Sequence, residues 1–476
     1  MRVLYVTSEA APFAASGGLG DVLGALPAAV VETAGGTCDA DVILPLYGNM
    51  KEEYRQRMKK VCDLRFQYAW RQTGASVFRI EQNGVTYYFV ENHYYFDRPT
   101  LYGAYDDGER FAFFSMAVLE FMKATGYTPD ILHANDWQSA MAVIYLKTEY
   151  AHIKQFSSVR TVFTIHNIEY QGKFDPYCLG DIFALEQKYY HIVEYNNCIN
   201  LMKGAITVTD YLSTVSPNYA CELRHDFFAF GLADVIARHS DKMRGIINGI
   251  DYGVFSPESG KDIYFPYGKD NLKEGKAKNK CAFQREVGLP ENENIPLAVM
   301  VTRLASAKGL DLLLRILDEL LEENMQFAIL GTGDKETEGA LLNMERRHPN
   351  MRAMIRFDRG LSKKMYAAGD IFIMPSKSEP CGLAQMIATS YGTVPVVRSV
   401  GGLYDSIRPY GTENSNGFRF DNYNAHELLF TVKQALSLYR EEDKWDALVR
   451  RAKLSDFSWS HSAAEYLDMY RNLLRW

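Results

Sequence analysis

Glu379 stands in Pro375-Ser376-Lys377-Ser378-Glu379-Pro380-Cys381-Gly382-Leu383, a Pro-flanked turn that leads from an apolar run into a helix opening on glycine. A carboxylate held with so little freedom suits recognition of hydroxyl groups, although a solvent-facing helix cap would use the same residue type. Arg303 and Lys308 lie in Val301-Thr302-Arg303-Leu304-Ala305-Ser306-Ala307-Lys308-Gly309, between an apolar run and a helix start. A planar guanidinium and a point-charge ammonium so placed suit a diphosphate and can neutralise an oxygen that departs from it. A solvated surface pair is the plainer alternative. Two further segments end apolar runs in polar groups: His133-Ala134-Asn135-Asp136-Trp137-Gln138 and Thr164-Ile165-His166-Asn167-Ile168-Glu169. A fifth, Ser8 to Asp21, contains Ser16-Gly17-Gly18-Leu19-Gly20-Asp21 between a strand-like run and a helix-like one. Glycines there let backbone N–H groups and the positive end of a helix approach a phosphate. The spacing is neither Gly-x-Gly-x-x-Gly nor Gly-x-x-x-x-Gly-Lys-Ser/Thr, so neither a dinucleotide fold nor a P-loop is signalled. A tight turn packing helix on strand remains the competing account of the loop.

Groups of this kind work only when rigid elements hold them. Short apolar runs recur at Val3–Thr7, Ala40–Leu46, Thr86–Glu91, Ile131–Ala134, Thr161–Ile165, Ala205–Thr209 and Arg244–Ile247, with helical patterns between them. Alternating β and α segments predict a doubly wound parallel sheet. From Ser256 to Asn294 the chain turns polar, and the alternation then restarts at Leu297–Thr302, Phe327–Leu330, Ile371–Pro375, Val394–Val397 and Phe418–Phe420. This places a domain boundary near Asp251. It predicts residues 1–250 as one Rossmann-like domain, carrying the glycine loop, and 251–455 as a second. The segment 456–476 has apolar residues at helical spacing and reads as a helix closing the first domain. Ligands of such sheets sit beyond the carboxyl ends of the strands, so two facing domains predict a cleft lined by the segments above.

Composition narrows the function classes. The 476 residues are 47% hydrophobic and 23% charged, enough for two sizeable cores. A net charge of −7, with no dense Lys/Arg run, argues against a nucleic-acid or anionic-membrane partner. The seven cysteines are scattered and never in Cys-x-x-Cys spacing, which suits a reducing compartment and no structural zinc. No signal peptide or long apolar stretch is visible, so a cytoplasmic, unanchored protein is expected.

Taken in order, these segments resemble the bacterial glycogen synthases and plant starch synthases, retaining glucosyltransferases of the two-domain GT-B architecture. The resemblance also rests on Tyr95-Phe96-Asp97-Arg98-Pro99, Leu101-Tyr102-Gly103, Thr214-Val215-Ser216-Pro217, Asn248-Gly249-Ile250-Asp251 and Gly331-Thr332-Gly333-Asp334, and it spans nearly the whole chain. It implies a nucleotide-activated glucose donor, usually ADP-glucose, and as acceptor the non-reducing end of an α-1,4-glucan such as glycogen or a maltooligosaccharide. Arg303 and Lys308 match the family's cationic pair on the pyrophosphate, and Glu379 the carboxylate that binds the transferred glucose. His166 matches the histidine near the anomeric centre, and Asp136 the acid beside glucose and acceptor. Ser16, Gly17, Gly18, Asp21, Asn248, Gly333, Phe357, Cys381, Gly382 and Leu383 fall in donor-binding segments, with Phe357 where relatives often carry a tyrosine expected to stack on the base. Tyr95 and Asn167, with Asp136, fall on the acceptor side. No metal or cofactor is implied, and Asp39-Ala40-Asp41, an Asp-x-Asp, begins a run that matches a strand of the family and is read as a turn.

The match breaks at the glycine loop. Relatives usually read Lys-Thr-Gly-Gly or Lys-Val-Gly-Gly, whereas this chain reads Ala15-Ser16-Gly17-Gly18. A charge-assisted hydrogen bond contributes about 1.5–3 kcal/mol, or about 10- to 100-fold in affinity. An enzyme with a weakened or altered donor preference, UDP-glucose included, is expected; a catalytically weak glucan-binding or regulatory paralogue is the alternative. Ile387 replaces the second carboxylate of the wider GT-B Glu-x7-Glu pattern, which the ADP-glucose branch commonly lacks.

Overall fold

The computed structural model describes residues 1–475. The chain forms two compact units, Met1–Gly249 with Trp459–Trp476, and Ile250–Ser458. The divisions fall one residue before and three residues after the expected 250 and 455.

In the first unit the strands are β1 (Arg2–Val6), β2 (Asp39–Pro45), β3 (Lys59–Tyr68), β4 (Arg71–Gln82), β5 (Val85–Glu91), β6 (Ile131–Asn135), β7 (Arg160–Ile165), β8 (Lys173–Phe174), β9 (Glu194–Tyr195), β10 (Cys198–Asn200), β11 (Tyr211–Thr214) and β12 (Met243–Gly245). Among the described residues nine of them form one sheet in the order β12-β11-β7-β6-β1-β2-β5-β4-β3, and β8, β10 and β9 a small second one. From β12 to β5 neighbouring strands are parallel; β5, β4 and β3 continue antiparallel. In β1 four of the five residues are buried, as expected of a strand covered on both faces.

Two features depart from the sequence reading. Ala205–Thr209, expected as a strand, lies almost wholly in the helix Leu201–Val208, and the strand comes after it at β11. A short apolar run does not distinguish buried helix from buried strand, and here Asn200 decides the matter, its side chain accepting from Lys203 N as a helix cap. The β3–β4 hairpin is the second. The later half of β3 alternates buried and exposed residues, the signature of a strand with one solvated face.

The second unit carries β13 (Leu297–Val301), β14 (Gln326–Leu330), β15 (Met351–Met354), β16 (Ile371–Met374), β17 (Val394–Arg398) and β18 (Phe418–Phe420). They form an all-parallel sheet in the order β15-β14-β13-β16-β17-β18. The helix Leu310–Leu321 buries Leu310, Leu313, Ile316, Leu317 and Leu320, the i, i+3, i+7 stripe that docks a helix on a sheet.

Strand order fixes where the polar segments emerge. The direction in which successive strands are added reverses between β13 and β16 in the second unit and between β1 and β6 in the first, and such switch points open a crevice at the strands' carboxyl ends. Arg303 and Lys308 come after β13 and Glu379 after β16; the glycine loop comes after β1 and Asp136 after β6.

Candidate functional site

In the second unit the two switch-point loops interlock. Gly309 has φ +70°, and a Cβ there would lie 2.0 Å from the Pro375 carbonyl oxygen, so only glycine allows this approach. Lys377 N donates to Ala307 O at 2.8 Å across the same junction. Lys308 Nζ consequently reaches Glu379 Oε2 at 2.6 Å, and Ser376 Oγ donates to the same oxygen at 3.0 Å. Glu379 Oε1 takes no hydrogen bond among the described residues and is the oxygen left for a ligand. The carboxylate's own backbone is clamped: Gly401 has φ +45°, and a Cβ there would sit 1.9 Å from Glu379 O.

Arg303 is exposed and makes no ion pair or hydrogen bond through its side chain among the described residues. Its turn is rigid all the same, because Leu304 N donates to Thr332 O and Asp334 N to Leu304 O, each at 2.8 Å. An unpartnered cation on a fixed turn, five residues before the lysine of a largely buried Lys–Glu pair, suits an anion together with a hydroxyl donor. Cys381 is buried, while Gly382 and Leu383 lead into the helix Ala384–Ser390. Phe357 is 82% exposed, its ring open for stacking. Gly333, expected in a donor-binding segment, gives its N–H to Glu338 Oε1 at 3.0 Å.

In the first unit Glu9, 3% exposed, holds the glycine loop. Its Oε2 accepts from Ser16 N at 2.5 Å and Gly17 N at 3.3 Å; its Oε1 accepts from Ser16 Oγ at 2.7 Å and Tyr102 Oη at 2.6 Å. The amides of Ser16 and Gly17, expected to face a phosphate, thus face an internal carboxylate. Gly17 caps the helix Gly18–Ala34 with no side-chain cap, Asp21 lies in that helix's first turn, and the space a Cβ would enter above Gly17 and Gly18 is empty. The open approach is therefore at the helix end itself. Glu9 had no assigned role in the sequence; its one signal was a lone carboxylate ahead of a glycine turn.

Asp136 has φ +58°, a conformation that L-residues adopt at a cost. What it gains is a carboxylate turned across to β7, where Oδ1 accepts from His166 N at 2.7 Å and Asn167 N at 3.4 Å. Burial nevertheless pushes Asp136 up to about 7, with the two amides pulling the other way. Burial lowers His166 to about 3, so its ring is neutral. Asn135 Nδ2 donates to Val6 O at 3.3 Å and His133 O at 3.1 Å, which turns Asn135 Oδ1 toward His166 Nε2 at 3.0 Å. His166 therefore carries its proton on Nε2 and offers Nδ1 as an acceptor for a hydroxyl. Asn167 Oδ1 accepts from Glu169 N at 3.0 Å. Asn248 is buried and its Oδ1 has no partner among the described residues, a polar atom suited to a ligand. Tyr95, expected on the acceptor side, is a core residue: it is 4% exposed, its hydroxyl donates to Glu109 Oε1 at 2.6 Å, and its ring packs on Phe113 at 4.6 Å. The exposed ring beside it is Tyr94.

Asp136 also makes stability depend on pH. The unfolded chain ionises this carboxyl near 3.8 and the folded chain near 7, so between those values the folded state binds more protons and stability falls as pH rises. Asp136→Asn should show little change in Tm near pH 4 and a gain that grows toward pH 7 and then levels off. Thermal denaturation of the full chain across that range checks this, and a gap independent of pH would contradict it.

Among the described residues no group of three or more His, Cys, Asp or Glu is arranged to hold a metal ion, and no helix is long and apolar enough to cross a membrane. Asp39 to Asp41, expected as a turn, are instead the first residues of β2, paired with β1, and Asp41 accepts from Tyr127 Oη at 2.5 Å.

Comparison with known proteins gives consistent matches. Residues 2–238 match the starch synthase catalytic domain model and residues 283–452 the glycosyl transferases group 1 model. The glycogen synthase of Geobacillus thermodenitrificans is 42% identical over 480 residues, covering 100% of this chain and 98% of that one. A glycogen synthase of Clostridium botulinum (strain Alaska E43) is 45% identical over 479 residues, covering 99% of each. Among solved structures, the catalytic domain of Starch Synthase IV from Arabidopsis thaliana bound to ADP and acarbose superposes with a TM-score of 0.90 at 31% identity, covering 100% of this chain and 99% of that one. A sucrose-phosphate synthase from Thermosynechococcus elongatus, at TM-score 0.63 and 16% identity over 100% of this chain and 99% of that one, shares the fold.

Proposed function

The chain belongs to the starch and glycogen synthase family of glycosyltransferases, and on that premise we propose that it extends an α-1,4-glucan from ADP-glucose with retention of configuration. Glycogen or starch synthase function and the GT-B architecture go with that membership; the donor and the stereochemistry are the proposed part. The observation that carries the reading is the Lys308–Glu379 pair, with the unpartnered Arg303 on the same loop as Lys308.

In this reading Arg303 and Lys308 bind the donor's diphosphate and neutralise the charge that develops as the glycosidic C–O bond breaks. Glu379 Oε1 accepts from hydroxyls of the glucose, and Phe357 stacks on the base. In the first unit the exposed N-terminus of helix Gly18–Ala34 offers amides to phosphate, and Asn248 Oδ1 accepts from the donor. His166 accepts a sugar hydroxyl through Nδ1 while its main-chain carbonyl faces the oxocarbenium charge. Asp136, ionised above about 7, adds negative charge where positive charge develops. The ADP and acarbose bound by the Arabidopsis starch synthase support a nucleotide-sugar donor and a glucan acceptor for this chain. No divalent ion is required, since fixed cations and a helix end supply the charge, and a soluble cytoplasmic setting accords with the bacterial relatives. Full-length matches to glycogen synthases do not favour the regulatory-paralogue alternative.

The test is transfer of label from ADP-glucose or UDP-glucose into glycogen, followed by release of that label with an exo-hydrolase specific for α-1,4 linkages. Incorporation from ADP-glucose, preferred over UDP-glucose, is expected. No incorporation from either donor would overturn the synthase reading, and preference for UDP-glucose would overturn the donor.

A further inference from the structure

A polar seam crosses the buried interior of the first unit. Tyr5 of β1, His133 of β6, Thr164 of β7 and Ser213 of β11 lie on four adjacent strands, with Tyr5 opposite His133 and Thr164 opposite Ser213 in register. All four are fully buried, as is Tyr470 of the helix Trp459–Arg475. Their side chains form one chain: Tyr5 Oη to Tyr470 Oη at 2.9 Å, Tyr470 Oη to His133 Nδ1 at 2.7 Å, His133 Nε2 to Thr164 Oγ1 at 2.5 Å, and Thr164 Oγ1 to Ser213 Oγ at 2.5 Å. Burial keeps His133 neutral, lowering it to about 3, so one ring nitrogen donates and the other accepts.

The seam lies just below the polar strand ends. His133 is three residues before Asp136 and Thr164 two before His166, so each tie lies within about 10 Å of backbone from its strand end. Thr164 O also accepts from Asp136 N at 3.0 Å. Asp136 holds its strained φ of +58° only while β6 and β7 keep the relative level that lets its carboxylate reach His166 N. The imidazole of His133 bridges these two strands from the side, and Tyr470 fixes that imidazole from the terminal helix.

We propose that His133 and Tyr470 are positioning residues: the terminal helix, through the Tyr470 hydroxyl and the His133 ring, sets the alignment of Asp136 with His166 for glucosyl transfer. The proposal rests on the reading of Asp136 and His166 as reaction-site groups. A buried polar chain is satisfied in one placement of the helix only, which gives the contact specificity beyond its apolar packing. The donor's diphosphate and base are assigned to groups outside this chain, so the effect belongs in kcat.

Tyr470→Phe keeps the ring and removes the hydroxyl. In the full chain, at saturating glycogen, kcat is expected to fall about tenfold with the ADP-glucose KM within twofold of wild type. The same substitution made in a His133→Asn background should lower kcat no further. If Tyr470→Phe does not fold, Thr164→Val removes the other end of the imidazole bridge and is judged by the same split between kcat and KM. Unchanged kcat, a proportional rise in KM, or losses that multiply in the double variant would overturn the proposal. Full kcat in Asp136→Asn would instead overturn the site reading, and the proposal with it.

Discussion

Lys308→Ala should lower kcat for glucosyl transfer by at least about a hundredfold, the scale on which loss of a preorganised charge at a developing oxyanion is felt. The pair it belongs to is nearly sealed, with 17% of the Lys308 side chain and 9% of the Glu379 side chain exposed. Removing the ammonium has two separable consequences. The departing phosphate loses a counter-charge, and Glu379 is left a buried carboxylate supported only by Ser376 Oγ. The second consequence is one of stability, and breaking such a pair costs roughly 3 kcal/mol. The double variant Lys308→Ala/Glu379→Ala separates them. It should melt above either single variant, since no charge is left unpaired, yet stay as inactive as the worse of the two. Steady-state kinetics with ADP-glucose and thermal denaturation of all three variants measure this. Transfer within threefold of wild type in Lys308→Ala would remove the residue from the reaction, and a double variant less stable than both singles would show that the pair is not the stabilising unit.

Ala15→Lys should lower the donor KM about 10- to 100-fold, the equivalent of one charge-assisted hydrogen bond, with kcat within threefold. Ala15 is exposed, so a longer side chain meets no core. Its position is electrostatically favourable for a phosphate, beside the uncapped start of helix Gly18–Ala34. One neighbour competes. A Cβ placed on Gly20 would lie 2.5 Å from Ala15 Cβ and 3.0 Å from Glu9 Oε2, so the root of the new side chain lies near the carboxylate that holds the loop, within reach of its ammonium. Glu9 already accepts four hydrogen bonds, which leaves the lysine to favour an arriving phosphate over a satisfied carboxylate. Donor titrations with ADP-glucose and UDP-glucose distinguish these fates. Equal tightening for both donors, shrinking as salt is raised, marks a phosphate contact. No tightening would mean that Glu9 captures the lysine and that Ala15 does not set donor affinity.

The tightest motifs were legible because they sit where an alternating β/α chain must turn. Pro375 to Leu383 and Val301 to Gly309 each adjoin the carboxyl end of a strand made only of apolar residues, and a parallel sheet gathers all such ends along one edge. Misreadings had equally physical causes. Ala205–Thr209 is apolar enough for either element, and the distinction lay in the cap at Asn200. The family resemblance places Tyr95 on the acceptor side, whereas its ring is buried among the core residues Phe96, Phe111, Phe113 and Phe114.

Taken alone, the sequence determined two Rossmann-like folds and the order of their motifs, since these depend on local periodicity and on spacing along the chain, and the resemblance carried by those motifs pointed to the family. Tertiary structure alone decided the partners: Lys308 with Glu379 across 71 residues, Glu9 with the glycine loop, Asp136 with the His166 amide, and Tyr470 with His133 across 337. Pairings of that kind depend on strand order and on how closely loops approach, and neither leaves a periodic trace in one sequence. The charge state of Asp136 belongs with them, because burial, and not residue type, raises it toward 7.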